Sequence, residues 1–200
     1  MDKIICVGKN YLAHAAEMNE KAPELPILFF KPPSCLFRAE KDGPLKLPSS
    51  AGIIHHELEL VFKIQKDSSG GLSFSHWTLG LDLTAREVQK ELKSHGHPWE
   101  RAKAFPRSAV VGEFLPLSDF DSLLDRPFEL FVNGELKQRG YGKDMRWSPK
   151  ALLEDLNHHF EIRDGDLLFT GTPEGVGPLA IGDQLIVKMT GAIEFTLDLV

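Results

Sequence analysis

The sequence predicts a single folded domain that combines β-strands with a few helices, on three observations. Its 200 residues, 42% of them hydrophobic, can bury a substantial core, and no repeat or low-complexity linker divides residues 1–200. Residues 54–62 and 77–83 alternate apolar and polar side chains with the period of a strand. Thr84 and Ser148 each open a stretch of helical periodicity with a capping signal.

Composition excludes several partners. No apolar run approaches the roughly 20 residues of a membrane helix, so no membrane partner is expected. Residues 1–7 pass straight into strand-like sequence and do not resemble a signal peptide. Cys6 and Cys35 are too few for a disulfide framework, which points to a reduced, cytoplasmic setting. The formal charge of −6 argues against nucleic acid, and an anionic substrate would need a local basic cluster.

Along the chain, residues 4–7 read as a strand stopped by Gly8. Asn10 is a good N-cap for a helix over residues 11–19, with Leu12, Ala15 and Ala16 on one side. His14 and Glu17, three apart, can meet on that helix, where a carboxylate would orient an imidazole and raise its basicity. A solvent-exposed His–Glu pair is the alternative. Residues 27–31 form a buried strand ended by Pro32–Pro33, and Lys31 there either reaches the rim or stands beside acidic groups.

In the strand over residues 54–62, Leu58, Leu60 and Phe62 point one way. Glu57 and Glu59 point the other, about 7 Å apart. Residues 66–76 read as a polar surface turn. In the next strand Asp82 faces away from Trp77, Leu79, Leu81 and Leu83, beside Gly80, which leaves space. If the two strands are neighbours, Glu57, Glu59 and Asp82 form an all-oxygen set suited to Mg²⁺ or Mn²⁺. Zinc is disfavoured because cysteine and the His-Glu-x-x-His pattern are absent here. Solvated glutamates on a surface strand are the alternative.

Thr84 to Glu87 reads as a capping box, and its helix runs to about Ser94 with Gly96 after it. Ala85, Val88 and Leu92 share a face with Gln89, while Arg86 leaves just after Asp82. Lys103 serves either a site or a solvated turn. Residues 127–132 run into Asn133–Gly134, a type I′ hairpin signal. Ser148–Pro149 starts a helix whose face of Leu152, Leu153, Leu156 and Phe160 is expected in the core. Residues 167–170 form a strand entering the Gly-rich residues 171–178, which lack the Lys-Ser/Thr of a phosphate loop. Backbone N–H groups and the hydroxyls of Thr170 and Thr172 could there hold a carboxylate. Residues 185–189 and 195–199 close the chain as strands.

Taken in order, Gly8-x-Asn10-Tyr11-x-x-His14-x-x-Glu17, Phe30-Lys31-Pro32, His56-Glu57-x-Glu59-Leu60, Leu81-Asp82-x-Thr84-x-Arg86, Lys103-x-Phe105, Val132-Asn133-Gly134 and Thr170-Gly171-Thr172-Pro173-x-Gly175-Val176-Gly177-Pro178 are similar to motifs of the fumarylacetoacetate hydrolase family. The resemblance spans nearly the whole chain and is nearest to the short acylpyruvate hydrolase and oxaloacetate decarboxylase (tautomerase) branch. It implies an α+β, mainly β fold with a twisted sheet roll, a homodimer, and a Mg²⁺ or Mn²⁺ ion on Glu57, Glu59 and Asp82. It makes His14 and Glu17 a catalytic dyad on a lid over residues 9–21, and Lys103 a further catalytic group. Lys9, Asn10, Tyr11, Lys31, Arg86, Gln89 and Thr172 are then the substrate-binding positions. Three departures stand out. Lys9 replaces a frequent Arg, residues 66–76 are short for the family, and the chain starts close to its first strand.

The expected activity is metal-dependent cleavage of acylpyruvate-type 2,4-dioxo acids, or decarboxylation of oxaloacetate, through a common enolate. The alternative is an isomerase: oxaloacetate keto–enol tautomerase, or an enzyme moving a double bond in a 2-oxo dicarboxylate. A protein that binds organic acids without turnover is a third reading.

Overall fold

The computed structural model describes residues 1–18 and 23–200. In chain order come β1 (Ile4–Gly8), α1 (Leu12–Glu17), β2 (Ile27–Lys31), β3 (Leu36–Arg38), β4 (Ile54–His56), β5 (Leu58–Lys66), β6 (Leu72–Asp82) and β7 (Thr84–Ala85). Then follow α2 (Arg86–Ser94), α3 (Glu100–Lys103), β8 (Ala109–Val111), β9 (Leu115–Pro116), α4 (Phe120–Leu124), β10 (Pro127–Val132) and β11 (Glu135–Tyr141). The chain ends with α5 (Pro149–His159), β12 (Leu167–Phe169), β13 (Gly177–Pro178), β14 (Gln184–Met189) and β15 (Ile193–Asp198). The architecture is mainly β with a few helices, as expected.

The large sheet runs β2-β1-β12-β5-β6-β8-β3, with β9 added to β6. It is mixed: β1 pairs parallel with β12 and β3 with β8, while the other pairs are antiparallel. A second sheet runs β11-β10-β14-β15, and a small one β13-β4-β7. The alternation read from the sequence decides how they pack. Leu58, Leu60 and Phe62 of β5 and Trp77, Leu79 and Leu81 of β6 are buried against Phe128, Leu130, Leu185, Val187 and Phe195 of the second sheet. Each such side chain contributes about 1.5–3 kcal/mol on burial. Ile5, Val7 and Leu168 are covered by Leu152, Leu153 and Leu156 of α5. With one face of β5 and β6 fixed in this core, Glu57, Glu59 and Asp82 are turned to the opposite side.

Several local expectations hold. Asn133 and Gly134 have φ of 52° and 79°, as a type I′ turn requires. Ser148 Oγ accepts from Ala151 N at 3.2 Å, with Pro149 in the first turn of α5. Gly96 follows the end of α2 with φ of 66°.

Others are corrected. Asn10 does not cap α1; the cap position is Tyr11, without a side-chain bond, because the Asn10 amide is engaged elsewhere. Thr84 does not cap α2 either: Ala85 holds that position, and the Thr84 hydroxyl accepts a hydrogen bond from Lys103. Residues 66–76 are mostly strand. β5 and β6 extend to the pair Lys66–Leu72, and the turn between them is held by the Asp67 carboxylate on the N–H groups of Ser69 and Gly71. Residues 54–62 are broken at Glu57 into β4 and β5. Phe160 is 38% exposed beyond α5, edge-on to Phe30, because the helix ends before the heptad returns it to the core.

Candidate active site

The pairing of β5 with β6 sets Glu59 opposite Gly80, and the Asp82 N–H donates to Glu57 O at 2.8 Å where the first strand breaks. One carboxylate oxygen from each of Glu57, Glu59 and Asp82 then lies within 4.8 Å of the others, and all three residues are buried. The space at Gly80 does not belong to this cluster. An added Cβ would stand 2.6 Å from the Val110 carbonyl and 2.8 Å from Val61 Cγ2, so Gly80 serves close packing beneath it.

Three cations surround the carboxylates. Lys103, at the end of α3, donates to Glu57 Oε2 (2.7 Å), Asp82 Oδ2 (2.5 Å) and Thr84 Oγ1 (2.7 Å). Lys31, fully buried at the end of β2, stands 2.5 Å from Asp82 Oδ1 and donates to the carbonyls of Ser108 (2.6 Å) and Leu83 (3.3 Å). Arg86, at the start of α2, donates to Glu57 Oε1 (2.5 Å) and to Gln89 Oε1 (2.7 Å). Burial opposes the charge on Glu57, but Lys103 and Arg86, with a smaller part from His14, outweigh it and hold the carboxyl far below its usual range. Burial likewise opposes the Lys103 charge, and Asp82 and Glu57 outweigh it, so the ammonium is held more firmly protonated. Glu59 differs. Burial, then Asp82 and Glu57, push its carboxyl well above the ordinary value, with only the Gly171 N–H (2.7 Å) and the more distant Lys103 favouring ionisation.

These residues fit a hard divalent cation. The set is all oxygen, Asp82 Oδ1 is buried without a hydrogen-bond donor in proper geometry, and burial, with Asp82 and Glu57, raises the Glu59 carboxyl above its ordinary value. A cation among the three would favour the ionised form that burial disfavours in Glu59.

A cavity of about 30 Å³ opens onto the cluster, lined by Glu57, Arg86, Gln89 and Lys103 together with Lys9, His14 and Thr172. Val7, Gly8, Met18, Phe29, Lys93 and Trp99 complete its wall. His14 is 7% exposed, and its Nδ1 is 3.2 Å from Glu17 Oε2. Glu17 Oε1 accepts from the Gly175 N–H at 3.0 Å, so α1 is tied to the Gly-rich loop over residues 170–178. Residues 19–21 of the expected lid lie outside the described residues.

Three predicted substrate positions do not line this cavity. Asn10 uses its amide on the Thr170 carbonyl (2.8 Å) and on both backbone groups of Trp147. Tyr11 is buried and donates to the Tyr141 carbonyl at 3.2 Å. Lys31 lies behind Asp82. Gln138 and Thr84 are the polar groups that sequence reasoning missed; their decisive contacts are long-range, 82 residues for Gln138–His56 and 19 for Lys103–Thr84.

The family description "Fumarylacetoacetate (FAA) hydrolase C-terminal" matches residues 3–198. The chain belongs to the fumarylacetoacetate hydrolase family. Within it, an oxaloacetate tautomerase of Escherichia coli (strain K12) is 38% identical over 198 residues, covering 96% of this chain and 90% of that protein. A mitochondrial oxaloacetate tautomerase of Arabidopsis thaliana is 35% identical, covering 98% and 90%. Among solved structures, fumarylpyruvate hydrolase from Pseudomonas aeruginosa in complex with Mn²⁺ and pyruvate superposes with a TM-score of 0.89 at 35% identity, covering 99% of this chain and 89% of that one.

Proposed function

We propose that the protein is a Mg²⁺- or Mn²⁺-dependent enzyme that acts on small 2-oxo acids bearing a second carbonyl, cleaving acylpyruvates or decarboxylating oxaloacetate. The observation that carries this reading is the Glu57–Glu59–Asp82 cluster, whose Glu57 lines the same cavity as His14, the partner of Glu17. Glu57, Glu59 and Asp82 would hold the ion, which supplies Lewis-acid stabilisation of negative charge on a 2-oxo acid. His14, held by Glu17, takes a proton from water as the oxygen adds to the distal carbonyl of an acylpyruvate. The C–C bond then breaks, its electron pair passes to C3 of the pyruvate fragment, and that carbon is protonated. Arg86, Gln89 and Thr172 line the cavity with the donors that a carboxylate or oxyanion needs. Lys103 fixes the positions of Glu57 and Asp82, and Lys9 is part of the cavity wall. Asn10, Tyr11 and Lys31 support these groups from behind.

A second reading, oxaloacetate keto–enol tautomerase, is favoured by the E. coli and A. thaliana relatives, both oxaloacetate tautomerases by name. It needs only proton transfer at C3. We assign the active form as a homodimer in a reducing, cytoplasmic compartment, in keeping with the free, buried Cys6 and Cys35. Among the described residues no helix is long and apolar enough to cross a membrane. The test is NMR of the purified protein with Mg²⁺ and, in turn, acetylpyruvate, oxaloacetate and its enol. Formation of pyruvate supports the first reading, and isomerisation without loss of carbon supports the second. No conversion of any of them refutes both.

A further inference from the structure

We propose that Gln138, on β11 in the second sheet, is a positioning residue for substrate binding: its amide leaves the Thr172 hydroxyl proton to point into the cavity. Gln138 is 1% exposed and makes four close hydrogen bonds, as many as a side-chain amide can. Its Oε1 accepts from Leu58 N at 3.0 Å and contacts His56 Nδ1 at 2.8 Å. Its Nε2 donates to Thr172 Oγ1 at 2.8 Å and to the Pro173 carbonyl at 3.0 Å.

Two of these partners have a single possible role. A backbone N–H only donates and a carbonyl only accepts, so Leu58 and Pro173 fix which end of the amide carries the oxygen. Turning the amide over would set donor against donor at Leu58 and acceptor against acceptor at Pro173. The other two roles follow. Thr172 Oγ1 must accept from Nε2, and a hydroxyl has one proton to give. Among the described residues that proton has only the Pro173 carbonyl, at 3.4 Å, which already accepts from Gln138. An acceptor in the cavity that Thr172 lines is the better partner. His56 must carry a proton on Nδ1, so this ring nitrogen is a donor to the amide oxygen.

The second sheet is pressed against the loop to make this contact. A Cβ on Gly175 would stand 2.1 Å from the Lys137 carbonyl, and one on Gly140 would stand 2.8 Å from Pro173 Cγ. Gln138 thereby links the strand break at Glu57 to the loop that carries Thr172.

The proposal rests on the reading of Thr172 as a substrate contact, and a double-mutant cycle tests the two separately. Gln138→Glu keeps an acceptor for Leu58 but offers no amide donor to Thr172; Gln138→Met removes both functions. Each is made alone and with Thr172→Val, folding is checked by thermal unfolding, and oxalate binding is measured calorimetrically at saturating Mg²⁺, with Mn²⁺ affinity measured by EPR. Thr172→Val and each Gln138 variant should weaken oxalate by about ten- to hundredfold, the range for a hydrogen bond to a charged group. In the Thr172→Val background the Gln138 changes should add less than twofold, and Mn²⁺ affinity should stay within twofold. Equal weakening by Gln138→Glu in both backgrounds overturns the proposal, as does a parallel fall in Mn²⁺ affinity. Unchanged oxalate binding in Thr172→Val overturns the substrate-contact reading itself, and the positioning role with it.

Discussion

Replacing His14 by Ala removes the imidazole that lines the cavity, and acylpyruvate cleavage should fall by about 10²–10⁴, the usual worth of an acid–base group. Glu17→Gln is the more informative partner experiment. The Glu17 carboxylate serves two donors at once, His14 Nδ1 at 3.2 Å and Gly175 N at 3.0 Å. A Gln carbonyl can serve only one of them from the same rotamer. Keeping His14 sacrifices the Gly175 bond, about 1 kcal/mol. Keeping Gly175 turns the NH₂ toward Nδ1 and forces the imidazole into the wrong tautomer. The first choice is cheaper, so the rate should fall roughly fivefold, at 1.36 kcal/mol per decade. The assay is loss of acetylpyruvate enol absorbance at saturating Mg²⁺, with oxalate affinity as control, which should be unchanged in His14→Ala. Wild-type cleavage by His14→Ala refutes the assignment of the base and makes Lys103 the next residue to test. Equal losses in His14→Ala and Glu17→Gln refute the division of roles within the pair.

Other expectations concern the metal, the loop and the acid limb of stability. Chelation should abolish activity and Mg²⁺ or Mn²⁺ restore it; Glu59→Gln, which keeps an acceptor for Gly171 N, should lose Mn²⁺ affinity in an EPR titration without lowering the metal-free unfolding midpoint. Gly175→Ala sets a Cβ 2.1 Å from the Lys137 carbonyl at a φ of 91°, and should cost at least 1–3 kcal/mol in chemical denaturation while loosening Glu17. Asp166 is buried; burial pushes its carboxyl up, but N–H groups of Arg163, Asp2 and Lys3 and the Lys3 ammonium outweigh this and hold it below 3.8. Its stabilisation is thus complete above about pH 4 and lost as pH falls through the lowered folded value. Asp166→Asn should be less stable at neutral pH by about 1–3 kcal/mol and show a shallower loss on acidification, measured by urea unfolding across pH.

Much of the site was readable because two strand periods and one core face determine it. Leu58, Leu60 and Phe62 need a core, and once they have it Glu57 and Glu59 have no choice of side. The His14–Glu17 spacing is a local helical rule and survived intact. What escaped was set by distant partners. Thr84 followed by Glu87 has the pattern of a cap, yet a buried ammonium at Lys103 competes for the same hydroxyl and wins, since a charged donor without an acceptor costs more than an uncapped helix end. Asn10 lost its capping role in the same way, to the carbonyls of Trp147 and Thr170. Gln138 lies in a polar, half-exposed strand where nothing in the local pattern separates it from Lys137 or Arg139. Its importance comes from a bulge-shifted register and a loop arriving 34 residues later.

The seat between β1 and β5 in the large sheet belongs to β12, three residues long and absent from the growing chain until Leu167. At 5–20 residues per second, the ribosome needs on the order of 10–30 s after β1 emerges to deliver it. During that interval the β1–β2 and β5–β6 pairs can assemble, since their contacts are nearer in sequence, but each keeps an open edge of unpaired backbone groups. Two apolar edges waiting for a missing centre strand are a template for pairing with another nascent chain. Expression yield should therefore respond to changes at Leu167, Leu168 and Phe169 more steeply than their contribution to equilibrium stability would suggest, and slower growth temperatures or a holding chaperone should recover it.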